Sequence, residues 1–133
     1  MSDAIDGIWR LVSSQAWDAA GHPAPAPYGS HPMGQIMFSQ GRMLAVLCNG
    51  DDGVPLGGRG FSSYGGTYTF DGSTLAVQVD VASDPSRIGG VQVRGVEMRG
   101  ERMLLRPPAR AYGDAAVQRR ELLWERAWHP AAA

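Results

Sequence analysis

The sequence predicts an all-β protein, a single antiparallel up-and-down β-barrel of about eight strands. Apolar and polar residues alternate with a period of two along most of the 133 residues, and Gly or Asp residues bound the segments. The 18 Gly and 9 Pro residues disfavour long helices, because each costs helix stability. Eight strands in meander order would leave two unpaired edges, and closure into a barrel removes both.

The first three strands are predicted at residues 8–17, 34–39 and 42–48. In the first strand, one face carries Trp9, Leu11 and Trp17, and the other carries Ile8, Val12 and Ala16. Four prolines within residues 22–32 predict an extended loop, because proline cannot donate to a sheet ladder. The dipeptide at 40–41, Gln-Gly, predicts a tight turn.

The next two strands are predicted at residues 66–70 and 74–82, joined by the Asp-Gly dipeptide at 71–72, a strong hairpin signal. The polar, Gly-rich stretch at 49–60 is predicted to be a loop. A short helical turn at 61–64, between this loop and the strand at 66–70, is an open alternative.

The last three strands are predicted at residues 91–98, 102–106 and 118–128, with a break at 84–86 and a surface loop at 110–117. A helix is the alternative for 118–128, because Arg, Glu and Leu favour helices. The whole chain, 1–133, is predicted to form one domain with its core within 7–128.

Charge and composition exclude several function classes. The net charge is −1 and the 12 basic residues are all Arg, so a Schiff-base lysine is excluded. The arginines are scattered among acids, which argues against nucleic-acid binding. The single cysteine, Cys48, allows no intrachain disulfide and lies in an apolar run typical of a core position. The N-terminus is unlike a signal peptide and no apolar run is long enough to span a membrane, so a cytoplasmic protein is expected.

Four ordered segments resemble the lipocalin-like domain proteins of bacteria and fungi, which are small calycin-type barrels. They are G-I-W-R-L-V-S at 7–13, Y-G-G-T-Y-T-F-D-G at 64–72, the stretch from D-P-S-R-I-G at 84–89 to M-L-L at 103–105, and L-L-W-E-R at 122–126. The resemblance implies a lipocalin-like barrel. It also implies that Trp9 packs at the closed end beneath a late-strand arginine, Arg126 or Arg120. Relatives often carry histidines midway along the fifth strand, where this chain has Val77 and Gln78.

Candidate ligand-binding residues follow from the strand pattern. Gln78 and Asp80 share a face of the fifth strand, and Gln92 and Arg94 share a face of the sixth. One interpretation is a solvated outer face with an Asp80–Arg94 cross-strand pair. The other directs Arg94 into the barrel, where it would hold a carboxylate or enolate in bidentate fashion.

Aromatic residues and histidines near the barrel ends complete the candidate set. Tyr28, Tyr64 and Tyr68 could line a mouth or cap the core. The histidines His22, His31 and His129 lack metal-ligand spacing, so no metal is expected, and exposure to solvent is the simplest reading. His31 is the one candidate for a pocket-rim role. The candidate ligand set is therefore Arg94, Tyr68, Gln78, Tyr64, Tyr28 and His31.

The leading functional hypothesis is a binding protein whose barrel encloses an apolar or aromatic small molecule without a cofactor. The alternative is a cofactor-independent isomerase, cyclase or hydratase that acts on a small carbonyl or polyketide-like metabolite in the cavity. A third option is an interaction protein whose core is simply filled. A homodimer is also left open.

Overall fold

The computed structural model describes residues 4–111 and 117–130. Within them the chain forms ten strands and two single 3₁₀ turns, at Leu56–Gly58 and Pro85–Arg87. The strands are β1 (Gly7–Asp18), β2 (Pro23–Ala24), β3 (Pro32–Ser39), β4 (Arg42–Asn49), β5 (Ser62–Phe70), β6 (Thr74–Ala82), β7 (Val91–Arg99), β8 (Arg102–Arg106), β9 (Arg110–Ala111) and β10 (Val117–Trp128).

Eight of these strands close into an antiparallel up-and-down barrel. Its order is β1-β3-β4-β5-β6-β7-β8-β10, and β10 pairs back along β1 from Ile8↔Trp128 to Asp18↔Gln118. The two-residue strands β2 and β9 extend β1 and β10. This confirms the predicted fold class, a closed barrel like those of the lipocalins. The helical alternative for 118–128 is wrong, because β10 is hydrogen-bonded on both sides, to β1 and to β8.

A register shift in β1 corrects the predicted faces of that strand. Trp9 and Leu11 are buried, but so are Ser14 and Ala16, while Trp17 is only partly buried. The pairing with β10 shifts between Leu11 and Ser13, and such a bulge adds one residue and exchanges the two faces beyond it. Trp17 therefore packs with its ring 4.3 Å from the guanidinium carbon of Arg119 instead of facing the core.

Strand β5 begins at Ser62, four residues earlier than predicted, so the option of a helical turn at 61–64 is wrong. Tyr64 pairs with both Ala45 and Ala82, which completes the ladder on each side. Glycine is required at position 66, since a Cβ there would lie 1.8 Å from the carbonyl oxygen of Gln78.

The other differences lie in loops and at strand ends. The Pro-rich loop contains β2, and β3 starts at Pro32 instead of Gly34. The predicted loop at 110–117 includes β9 and the first residue of β10, and its residues 112–116 lie outside the described part of the chain.

The core fills the barrel toward the end where β1 starts. Trp9, Phe38, Leu75, Met103 and Trp124 are essentially inaccessible to solvent there. The guanidinium carbon of Arg126 lies 4.2 Å from the centre of the Trp9 ring, the stacking that the resemblance implied for the closed end. Arg126 also donates to the backbone oxygens of Asp6 and Ala4. It therefore covers this end of the barrel and holds the residues that precede β1 against it.

Among residues 4–111 and 117–130, no helix has the length and apolar character needed to cross a membrane.

Candidate functional site

The opposite end of the barrel holds a cavity of about 320 Å³. It lies between inward-facing side chains of the strands and the loops at 27–28, 61, 83–87 and 107–110. The described residues that line it are Pro27, Tyr28, Ile36, Ala45, Leu47, Phe61, Ser62, Tyr64, Ser83, Asp84, Arg87, Arg94, Leu105, Pro107, Arg110, Arg120, Leu122 and Trp124.

The floor of the cavity is apolar because the strand alternation brings hydrophobic residues inward there. Its side chains are Ile36 from β3, Ala45 and Leu47 from β4, Leu105 from β8, and Leu122 and Trp124 from β10. Successive inward positions on β10 are Arg120, Leu122 and Trp124. Because a strand rises about 3.3 Å per residue, the backbone positions of Arg120 and Trp124 are separated by about 13 Å along β10. The cavity is therefore polar toward its mouth and apolar toward the closed end.

Four arginines contribute to the wall of this cavity: Arg87 from the turn after β6, Arg94 from β7, Arg110 from β9 and Arg120 from β10. Asp84 is the one carboxylate among the described lining residues. Arginine side chains are permanently charged and present a planar fork of N–H donors that matches a carboxylate. The wall is thus chemically suited to an anionic group.

Two of these arginines are held in place by one neutral side chain. Gln92 faces inward on β7 like Arg94, and its Oε1 accepts from Arg94 at 2.8 Å and from Arg87 at 3.0 Å. The Arg87 guanidinium carbon also lies 4.1 Å from the centre of the Tyr64 ring, a cation–π distance. The amide orients both guanidinium groups, and the aromatic ring contacts that of Arg87.

Asp84 fixes the turn that carries Arg87. Its carboxylate accepts from the backbone N–H and hydroxyl of Ser86, at 3.0 and 2.8 Å. These two hydrogen bonds hold the pKa of Asp84 below its ordinary value, and the bond from the hydroxyl has the larger effect. The nearby positive charge of Arg87 lowers the pKa further. The carboxylate is therefore charged at neutral pH and is engaged in capping the Pro85–Arg87 turn.

The Tyr28 side of the mouth is built by a turn with unusual backbone geometry. Tyr28 has a φ of 67°, in the left-handed region that residues with a side chain rarely adopt, and Gly29 follows with 73°. The loop is held by Ser14, whose hydroxyl donates to the Pro27 carbonyl, and by Asp51, which accepts from the backbone of His31 at 2.7 Å. Tyr28 is thereby fixed against the cavity.

The structure brings three of the six candidate ligand residues together. Arg94, Tyr64 and Tyr28 line the cavity. Gln78 is exposed on the outer face of β6, and the His31 ring is exposed with Nδ1 3.0 Å from Asp51. Tyr68 lies nearer the closed end, where its hydroxyl donates to Asp6 and its ring meets Phe38 edge-on at 5.1 Å.

The outer face also corrects the suggested Asp80–Arg94 pair. On β6, Asp80 points outward and its carboxylate accepts from Arg42 of β4 at 2.7 Å. Arg94 pairs with Leu75 in the ladder and points inward. The four polar residues grouped from the sequence therefore divide, with Gln78 and Asp80 outside and Gln92 and Arg94 inside.

Sequence reasoning missed Arg87, Arg110 and Trp124 as cavity residues, and considered Arg120 only as a partner of Trp9. The alternation on β10 could have predicted two of them, Arg120 and Trp124. Arg120, Leu122 and Trp124 are alternate residues of one strand and therefore face the same side of the sheet. Arg87 and Arg110 lie outside the long strands, where period-two patterns place no side chain.

A second depression, of about 550 Å³, lies on the outer surface of β3 and β4. Its lining is mainly apolar, with Met33, Met37, Leu44 and Val46 among the exposed residues. The internal cavity combines four arginines with an apolar floor, and the outer depression has no such cluster of polar side chains among its described lining residues. The internal cavity is therefore the better candidate site.

Within the described residues, no group of three His, Cys, Asp or Glu side chains is placed to hold a metal ion. Fold and site together define a closed eight-stranded antiparallel barrel with an arginine-lined internal cavity. No protein-family model, no curated protein and no solved structure matched the chain when each was compared with it.

Proposed function

We propose that this protein binds a small organic anion, an apolar or aromatic body carrying a carboxylate or enolate, inside the barrel. The observation that supports it most is the set of four arginines, Arg87, Arg94, Arg110 and Arg120, on the wall above an apolar floor. A cavity of about 320 Å³ is at the small end of the range for ligand pockets. The floor would enclose the apolar body while the guanidinium groups receive the anionic group.

The arrangement of Arg87, Arg94 and Gln92 supports an anion more than a neutral ligand. Two guanidinium groups donate to one uncharged acceptor, which brings two positive charges to the same part of the cavity wall. Hydrogen bonds to charged groups contribute about 1.5–3 kcal/mol, against about 0.5–1.5 kcal/mol for neutral pairs. An anionic group therefore gains more from this wall than a neutral group of the same shape.

Native mass spectrometry of the purified protein, followed by titration with naphthoate and its neutral analogue naphthamide, tests the proposal. We expect a co-purifying small acid, or binding of naphthoate about eightfold tighter than naphthamide, from the midpoints of the two ranges. The pair shares one shape and differs in charge, so the ratio isolates the arginine contribution. Equal affinities, or no binding of either probe by protein that carries no co-purified acid, would reject the proposal.

A second candidate is a cofactor-independent isomerase, cyclase or hydratase acting on a carbonyl compound. The contact between Tyr64 and Arg87 favours this enzyme function, and Asp84 holds the turn that carries Arg87. In such a pair the guanidinium can polarise a substrate carbonyl while the phenol exchanges a proton with the substrate. Incubating the co-purified compound with fresh protein separates the two functions. Conversion that is lost in Tyr64→Phe while binding is retained indicates an enzyme, and recovery of unchanged compound indicates a binding protein.

A further inference from the structure

The outer surface of the barrel carries a contiguous apolar patch over β3 to β6. Ladder pairing joins Met37 of β3 to Leu44 of β4, and Leu44 to Gly65 of β5. Val81 of β6 lies beside Gly65, so one row crosses four strands. Neighbouring side chains around the outer depression extend this row. The outer apolar patch consists of Met33, Met37, Leu44, Val46, Phe61 and Val81.

The exposed area of this patch is large for a protein of this size. Each of its six side chains is between 45% and 53% exposed. Together they expose roughly 500 Å², and the largest apolar patch of a typical monomer is about 300–600 Å² and is often functional. Methionine and phenylalanine are also enriched in protein–protein interfaces. The patch therefore has the size and composition of an interaction surface.

The outer face of β7, β8 and β10 shows how differently this chain builds a sheet face that meets water. There Arg106 donates to Glu97 at 3.2 Å and to Glu121 at 3.1 Å, and Arg99 also pairs with Glu97. Ion pairs thus cross that face from strand to strand. Among the described residues, the outer apolar patch has charges only at its border.

Two ion pairs form this border, one on each side of the patch. Arg10 of β1 donates to Glu125 of β10 at 3.1 Å, and Arg42 of β4 donates to Asp80 of β6 at 2.7 Å. Each pair holds one positive and one negative charge, so the border is neutral and contains both signs. A neutral border attracts neither a strongly charged protein nor an anionic membrane. It can meet a copy of itself without net repulsion between like charges.

We propose that the outer apolar patch is the interface of a homodimer, in which it packs face to face on the same patch of a second copy. This inference does not depend on the proposed function. Two sheets can pack face to face about 10 Å apart with their side chains interdigitated. A standard interface takes about 800 Å² from each partner, and the patch with its charged border supplies an area of that order. A two-fold axis closes the assembly at two copies.

Sedimentation velocity of the full chain, from low to high micromolar concentration, tests the proposal. We expect wild-type protein to reach twice the mass of one chain. Val46→Arg should weaken dimerisation at least about 100-fold, because the two-fold axis introduces the charge twice into an apolar interface. Val93→Arg is the matched control, since Val93 is an outward-facing valine of β7 with 41% exposure, against 45% for Val46. It should dimerise like wild type.

The methionine methyl resonances of wild-type protein provide a second measurement that needs no variant. Those of Met33 and Met37 should shift as the concentration rises through the range of dimerisation. Met103 is the internal control, because it is fully buried in the barrel and its resonance should stay in place. This measurement decides the question if circular dichroism shows that Val46→Arg does not fold.

Three results would overturn the inference. A monomer at every concentration would leave the patch to a different partner. A dimer that persists in folded Val46→Arg, or that is weakened equally in Val93→Arg, would place the interface elsewhere. Unchanged Met33 and Met37 resonances while the mass doubles would do the same.

Discussion

Arg87 and Arg94 donate to the same atom, Oε1 of Gln92, at 3.0 and 2.8 Å. Two cations are thus brought to one wall of the cavity by a neutral side chain. A carboxylate at position 92 would neutralise part of their charge, while an apolar residue would leave them without a common anchor. The amide positions the two guanidinium groups and adds no negative charge of its own, which suits the anion site proposed above.

Replacing Gln92 with Leu should therefore weaken binding of naphthoate more than binding of naphthamide. Each side chain that the ligand must newly immobilise costs about 0.5–1.5 kcal/mol, so releasing two arginines lowers affinity by at least about fivefold. Calorimetric titration of both probes measures the difference. An equal loss for the two would mean that the cavity changed shape, and would contradict an anchoring role for Gln92.

Tyr68→Phe should reduce stability and leave ligand affinity unchanged. The Tyr68 hydroxyl donates to the buried side chain of Asp6, and leaving a buried acceptor without this donor costs about 1–3 kcal/mol. Tyr68 does not belong to the described lining of the cavity. Urea unfolding and a naphthoate titration check the two effects separately. Weaker naphthoate binding at unchanged stability would instead place Tyr68 at the ligand.

The closed end should show energetic coupling between Trp9 and Arg126. Truncation of a buried tryptophan, Trp9→Ala, should cost about 3–5 kcal/mol, and Arg126→Ala should cost less. Burial lowers the pKa of Arg126, with Glu101 and Asp6 opposing the effect, and the guanidinium remains charged over the indole face. A double-mutant cycle from urea unfolding should give a coupling of about 0.5–2 kcal/mol. Strict additivity would show that the stacking contributes nothing.

Acid should remove the stabilisation that Asp71 gives to the hairpin between β5 and β6. Its carboxylate accepts from the backbone N–H groups of Ser73 and Thr74, at 2.9 and 2.7 Å, and these bonds hold its pKa below the ordinary 3.8. Because the pKa is lower in the folded state, the contribution is present above pH 3.8 and is lost as pH falls through the folded pKa. Wild-type protein should exceed Asp71→Asn in unfolding free energy at pH 7, and the difference should shrink below pH 3.8. A difference that is constant with pH would contradict this assignment.

The barrel could be predicted from the sequence because its strands follow a regular period and its turns use distinctive residues. The predicted limits of β6 and β8, 74–82 and 102–106, agree with the structure. Where the period breaks, prediction failed. The bulge between Leu11 and Ser13 exchanges the faces of β1, so Trp17 was assigned to the wrong side.

The cavity wall was only partly predictable, for a related reason. Arg94 was a candidate because a mid-strand arginine must either face solvent or be buried among suitable groups. Arg87 comes from the turn that leads into β7, Arg110 from the two-residue strand β9, and Arg120 from β10, which is separated from β7 in the sheet by β8. The alternation within one strand predicts none of these neighbours of Arg94. Gln78 does not line the cavity, because on β6 its neighbours Val77 and Val79 face the barrel interior and Gln78 faces the outer surface.

Titration of naphthoate into Arg94→Met tests the central claim most directly. Methionine keeps much of the side-chain volume and removes the charge, so affinity should fall about 10-fold to 150-fold, the value of a hydrogen bond to a charged group. Arg42→Met is the matched control, because Arg42 lies on the outer face paired with Asp80, and its affinity should stay within about twofold of wild type. Wild-type affinity in Arg94→Met, or equal losses in both variants, would contradict an anion site on the arginine wall of this barrel.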